Sequence, residues 1–239
     1  MSKIPFLTTQ QMIEVDRLMI DEFGIQLIQM MENAGRHLAD LAVQRFLEED
    51  PIGKSVVILA GIGGNGGGAL VCARNLHNWG ADVVVVLTKS VEQLTGVVQH
   101  QTKILQANKI EIASVLDLQK VSALDLIVDG LIGYSIQGAP RGLAAELIRW
   151  ANQQEKPILA LDLPSGLDGT TGEVFHPAIK AAATLTLALP KIGLQTAREN
   201  VVGELYLADI GVPPLLYAHP SLSLQVGPIF SQERVIRLF

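Results

Sequence analysis

From residue 55 onward short runs rich in Val, Ile and Leu appear in series, the first five of them separated by amphipathic stretches. The runs are SVVILA (55–60), ADVVVVLT (81–88), KIEIA (109–113), DLIVD (125–129), PILALD (157–162), ATLTLAL (183–189) and ELYLAD (204–209). Between the first five lie segments such as GALVCARNLHNWG (68–80) and PRGLAAELIRWANQQ (140–154), long enough for helices with one apolar face. A strand that is apolar on both sides must be covered on both faces. Strands that alternate with helices run parallel, because the helix makes the return crossing. The pattern predicts an α/β, three-layer αβα, Rossmann-like fold with a mostly parallel sheet. The last two runs lack an obvious helix between them and are expected to form an antiparallel edge.

Ahead of this series, apolar positions recur at helical spacing from Thr9 to about Phe46, with a break near Gly24, which predicts two opening helices. They form an N-terminal extension (1–50) that packs on the sheet or on a second subunit, and residues 51–239 form the Rossmann-like core of a single domain. No linker rich in Pro, Gly or Ser and no internal repeat divides the chain. The apolar runs are far shorter than the roughly 20 residues that span a bilayer, and the N-terminus lacks the pattern of a secretory signal. Net charge is −6 with no Lys/Arg cluster, which argues against nucleic acid and anionic membranes as partners. Cys72 is the single cysteine, so an internal disulfide is excluded. A cytoplasmic, globular protein is expected.

Residues 61–68, GIGGNGGG, place six glycines in eight positions directly behind the first strand. A strand, a glycine-rich turn and a helix from about Gly68 put free backbone N–H groups and a positive helix end at the tip of the sheet, an arrangement that binds phosphate. Gly61, Gly63 and Gly66 satisfy G-x-G-x-x-G, yet the second strand is followed by Lys89 and Ser90 instead of the acidic residue that an NAD-binding unit uses for ribose hydroxyls. The same absence disfavours a methyltransferase. Other strand ends carry chemistry too: Asp129 closes the fourth run, Asp162 the fifth, and Pro164-Ser165-Gly166 follows. In a parallel sheet these ends share one edge, so Asn65, Asp129, Asp162 and Ser165 are expected around one cavity. The five histidines show no paired metal-ligand spacing. Cys72, Met30 and Met31 read as packing residues, Asp168 as a turn former, and Lys191 as a structural or rim residue.

Five segments, in order, resemble the YjeF N-terminal domain family, the NAD(P)H-hydrate epimerases: GIQLIQMMENAGR (24–36) with the glycine turn, VDGLIGYSIQG (128–138), LDLPSGLDGTTG (161–172), LALPKIGL (187–194) and ELYLADIGVP (204–213). The resemblance runs from about Thr9 to Pro213. It implies a Rossmann-like, usually dimeric protein that interconverts the R and S epimers of hydrated NADH or NADPH, so that a separate ADP- or ATP-dependent dehydratase specific for S restores the cofactor. It also implies a potassium ion held by Asn65, Asp129 and Ser165. Substrate-binding positions carried over are Gly64, Asn65, Gly66, Gly67, Gly68, Gly133, Tyr134, Ser135, Ile136, Gln137, Gly138, Ala139 and Asp162. Catalytic candidates are Asp129, Asp162 and Lys89.

Where the family reads N-N-G-G-D-G, this chain reads Gly64-Asn65-Gly66-Gly67-Gly68-Ala69. Loss of a carboxylate at Gly68 is expected to leave the mouth more open and less negative. A second reading therefore stands beside the enzyme: a catalytically silent relative that binds a nucleotide or metabolite and recruits another protein.

Overall fold

The computed structural model describes residues 4–120, 123–197 and 201–239. Two helices open the chain, α1 (Thr9–Asp21) and α2 (Leu27–Phe46). Then follow β1 (Ser55–Ala60), α3 (Gly64–Asn78), β2 (Asp82–Leu87), α4 (Gly96–Ala107), β3 (Glu111–Ala113), β4 (Leu126–Gly130), α5 (Gly142–Gln153) and β5 (Ile158–Leu161). The chain continues through β6 (Ala183–Leu187), α6 (Ile192–Thr196), β7 (Glu204–Ala208), α7 (Pro214–Tyr217) and β8 (Val235–Arg237). The eight strands form one sheet in the order β3-β2-β1-β4-β5-β6-β7-β8.

Every neighbouring pair is parallel except β7 with β8. The expected antiparallel pairing of β6 with β7 is therefore corrected: residues 188–203, which include α6, are long enough for a crossover that returns the chain parallel. The antiparallel edge belongs to β8, three residues whose sequence carries too little pattern to announce a strand.

Each strand feeds two cores. In β1, Val56, Ile58 and Ala60 face the layer built from the opening helices with α3 and α4, while Val57 and Leu59 face Leu147, Ile148 and Ala151 of α5. The opening helices lie on their own sheet. A capping box between Thr8 and Gln11 starts α1. Just before it, Leu7 donates its N–H to the Pro190 carbonyl at 2.8 Å and accepts from Ile192 N at 2.9 Å, which ties α1 to the segment after β6. In α2, Gly35 lets two helices nearly touch: a Cβ there would stand 2.4 Å from the Gly68 carbonyl oxygen.

The glycine-rich segment folds differently from expectation. It is helical from Gly64, with Gly63 as N-cap, so four of the six glycines lie inside α3. Glycine is a poor helix former, but here the absence of a side chain is the packing solution. A Cβ on Gly66 would come within 2.0 Å of the Gly61 carbonyl oxygen.

Candidate active site

The sheet order reverses between β1 and β4, where the chain has left the β3 edge to start the other half. Ligand clefts of open α/β sheets form outside the carboxyl ends of the strands at such a point. A cavity of about 390 Å³ opens there, within the range of small-molecule sites. Met12 of α1, Leu27, Met30 and Met31 of α2, and Ile62 make much of its apolar wall. Its polar groups are Asp16, Asn65, Tyr134, Ser135, Asp162 and Lys191, with the backbone of Gly63 and Gly64 at the start of α3.

Asp162 follows β5 with a backbone φ of 64°, a left-handed conformation that Asp tolerates better than most residues. A Leu163 N–H bond to the Leu161 carbonyl at 2.8 Å closes a three-residue turn around it. This sharp reversal presents the carboxylate at the sheet edge. Its Oδ1 accepts from Lys191 Nζ, from Leu187 N at 3.2 Å and from Thr186 Oγ1 at 3.3 Å. Among the described residues no hydrogen bond falls on Oδ2. Lys191 is 0% exposed and Asp162 2%, and the ammonium also donates to the Leu187 carbonyl at 3.0 Å. An ion pair so buried persists because each charge answers the other; removing one leaves the partner uncompensated.

Asn65, in the first turn of α3, donates Nδ2–H to the Leu161 carbonyl at 2.8 Å and so fastens that helix to the end of β5. Its Oδ1 lies against Gly133, where a Cβ would stand 2.7 Å away. Asp129, at the end of β4, is fully buried and does not line the cavity. Its Oδ2 accepts from Ser165 N at 2.8 Å, and its Oδ1 from Ser165 Oγ at 2.7 Å and from Leu131 N at 3.1 Å. Ser165 Oγ in turn accepts from Ile132 N at 2.8 Å. Burial pushes the Asp129 carboxyl up to about 6, with the Ser165 and Leu131 bonds opposing that rise. Asn65, Asp129 and Ser165 thus converge on residues 129–133 as an amide oxygen, a carboxylate and a hydroxyl.

The structure therefore sorts the residues that the sequence singled out. Gly64, Asn65, Gly133, Tyr134, Ser135 and Asp162 line the cavity. Gly66, Gly67 and Gly68 are buried inside α3. Ile136, Gln137, Gly138 and Ala139 lie beyond the lining, with Gln137 and Gly138 exposed. Lys89 is exposed at the end of β2 and away from the lining. Asp129 and Ser165 are paired one hydrogen bond behind the wall at Leu131 and Ile132. Gly68 does not widen the mouth: a Cβ there would meet Leu161 Cδ2 at 2.8 Å and Ala34 Cβ at 3.8 Å, so neighbouring apolar groups occupy that space.

Sequence reading missed two lining residues of consequence. Lys191, expected as a structural or rim residue, lines the cavity and forms the buried ion pair with Asp162. Its signal was a lysine only a few positions past an apolar strand, at the same edge as Asp162. Asp16 sits on the face of α1 that carries Met12 and Met19, a carboxylate on an apolar stripe. The Tyr134 hydroxyl donates to its Oδ2. Burial raises the Asp16 carboxyl above its ordinary range and Asp162 adds to the rise, while the Tyr134 bond and the Lys191 charge oppose it. Tyr134 is itself raised, by burial first and by Asp16 next.

The model for the YjeF-related protein N-terminus matches residues 27–193. The NAD(P)H-hydrate epimerase of Dehalogenimonas lykanthroporepellens is 41% identical, over 90% of this chain and 86% of that protein. The bifunctional NAD(P)H-hydrate repair enzyme Nnr of Moorella thermoacetica is 36% identical over 89% of this chain, which spans 41% of that longer protein. The crystal structure of yeast ynu0 superposes with a TM-score of 0.83 at 27% identity, covering 98% of this chain and all of that one. With the carboxyl-edge cavity and the order of elements, these matches show that the chain belongs to the YjeF N-terminal family.

Proposed function

We propose that this chain is an NAD(P)H-hydrate epimerase, an isomerase that interconverts the R and S epimers of hydrated NADH and NADPH. The observation that carries the reading is the Asp162–Lys191 pair opening into a cavity beside the start of α3, in a chain 41% identical to a protein of that name. The positive end of α3 and its free N–H groups suit the diphosphate. The cavity takes the hydrated nicotinamide end, and the methionine-rich wall shields it from bulk water.

At the reacting carbon a hydroxyl and a ring nitrogen are attached together. Protonation of the hydroxyl lets the nitrogen lone pair expel it as water, leaving a planar iminium that water attacks on either face. Asp162 is the carboxylate placed to exchange a proton with that oxygen. Asp129, withdrawn from the cavity, is assigned to the ion instead, and Lys89 takes no part.

Potassium fits the residues present. Asn65 Oδ1, Asp129 and Ser165 are all oxygen donors, the set that hard cations prefer. The missing Cβ at Gly133 leaves Asn65 Oδ1 its room. A cation there would supply positive charge beside the diphosphate. The same reading carries a homodimer, a cytoplasmic location and a separate ADP- or ATP-dependent dehydratase that consumes the S epimer. Among the described residues no helix is long and apolar enough to cross a membrane.

The test is to incubate purified protein with the R epimer of hydrated NADH and follow the S epimer by its consumption in an S-specific dehydratase. Conversion well above the spontaneous rate is expected. A rate equal to the spontaneous one refutes the reading.

A further inference from the structure

Four titratable side chains from four parts of the fold line the cavity: Asp16 from α1, Tyr134 from the β4–α5 loop, Asp162 after β5 and Lys191 after β6. Asp162 and Lys191 satisfy each other. Asp16 is left over from the reaction derived above, and it precedes residues 27–193, the segment matched by the family model. A carboxylate among Met12 and Met19 is costly in desolvation, and among the described residues its one hydrogen bond is the one that Tyr134 donates.

Interconverting two epimers through a planar intermediate calls for proton transfer on each face of the ring. One carboxylate held in place serves one face. Resting on the epimerase reading, we propose that Asp16 is the second catalytic acid–base group of this site, held by Tyr134, and that it serves one ring face while Asp162 serves the other. In one direction Asp16 gives its proton to the hydroxyl, the C–O bond breaks as the ring nitrogen donates its lone pair, and water leaves. A second water then forms a C–O bond on the opposite face and passes a proton to Asp162. One solvent oxygen replaces the original, one proton has moved from Asp16 to Asp162, and the reverse reaction runs the roles backwards.

The surroundings support this division. Asp16 is the half-buried carboxyl raised above its ordinary range, suited to carry a proton. Asp162 is held at Oδ1 by the Lys191 ammonium, and among the described residues its Oδ2 accepts no hydrogen bond and is open to the water. Facing Asp16 are Tyr134, Lys191 and Asp162, with Tyr217 of α7 also within electrostatic reach.

Asp16→Asn and Tyr134→Phe test the assignment in the full-length protein with hydrated NADH. The Asn amide oxygen still accepts from Tyr134, so a merely structural role survives that substitution. The expected result for Asp16→Asn is a kcat reduced by about 100-fold or more, with KM within about threefold. The kcat–pH profile of Asp16→Asn loses the alkaline limb that reports deprotonation of Asp16. In Tyr134→Phe that limb moves to higher pH, because the bond holding the Asp16 carboxyl down is gone. An Asp16→Asn enzyme within about fivefold of the parent, or a Tyr134→Phe limb that stays in place, overturns the proposal while leaving the epimerase reading intact. A parent protein without epimerase activity overturns both.

Discussion

Replacing Asp129 by Asn gives the sharpest physical test of the buried cluster behind the cavity. Asp129 is fully buried, and its carboxyl rises from 3.8 to about 6 on folding. At about 1.4 kcal/mol for each tenfold change, the rise corresponds to about 3 kcal/mol. The folded state holds this proton more tightly than the unfolded chain does. The stabilisation is thus complete below pH 3.8 and is lost as pH rises through about 6. Roughly 2 kcal/mol of the change falls between pH 4 and 7.5.

Asn cannot titrate, so the difference in unfolding free energy between parent and Asp129→Asn isolates this group from every other carboxylate. Urea unfolding followed by the fluorescence of Trp79 and Trp150 at a series of pH values measures that difference. The parent is expected to lose about 2 kcal/mol relative to the variant between pH 4 and 7.5 in a potassium-free buffer. The variant also turns one of the two acceptors into an N–H, which faces either Ser165 N or the pair Ser165 Oγ and Leu131 N, and this lowers its stability at every pH by about 1–3 kcal/mol. If the proposed ion is bound, potassium chloride at constant ionic strength flattens the parent's curve near neutrality, because a cation favours the ionised carboxylate. A difference that stays constant from pH 4 to 7.5 refutes the premise that Asp129 titrates in the folded protein with a raised affinity for its proton.

Two further outcomes are expected. Lys191→Met strands the Asp162 carboxylate in a site where both side chains are shut off from solvent, so thermal or urea unfolding should show a loss of about 3–5 kcal/mol, with epimerisation abolished. Gly68→Asp restores the residue type common in the family but drives a carboxylate against Leu161 and Ala34; a loss of about 2–5 kcal/mol and no gain in activity are expected, and an accelerated enzyme would contradict the packing described here.

The segments that resemble the family also show how a local pattern becomes a site. The turn at LDLPSG places Asp162 at the edge and turns Ser165 back onto Asp129. The glycines after β1 have the spacing of a phosphate loop, yet only Gly63, Gly64 and Asn65 of that stretch reach the cavity besides Ile62. The others pack closely against their neighbours: a Cβ on Gly61 would stand 1.9 Å from the Leu131 carbonyl oxygen past β4, one on Gly66 2.0 Å from the Gly61 carbonyl oxygen, one on Gly67 3.2 Å from Val97 of α4 and one on Gly68 2.8 Å from Leu161 of β5. One short segment thus both lines the cavity and packs the start of α3 against its neighbours.

What the sequence determined by itself is what repeats at short range. Apolar runs separated by amphipathic stretches dictate buried parallel strands with helical crossovers, and strand ends in such a sheet share one edge whatever the rest of the chain does. Only the tertiary structure decided which polar groups meet there. Asp162 finds Lys191 across 29 residues, and Tyr134 finds Asp16 across 118. Asp129 ends a strand as Asp162 does, but Ser165 closes over it and takes it out of the cavity. Periodicity reports which face of an element is buried. It carries no record of which distant side chain fills the space opposite, and burial, charge pairing and proton affinity are set by that neighbour.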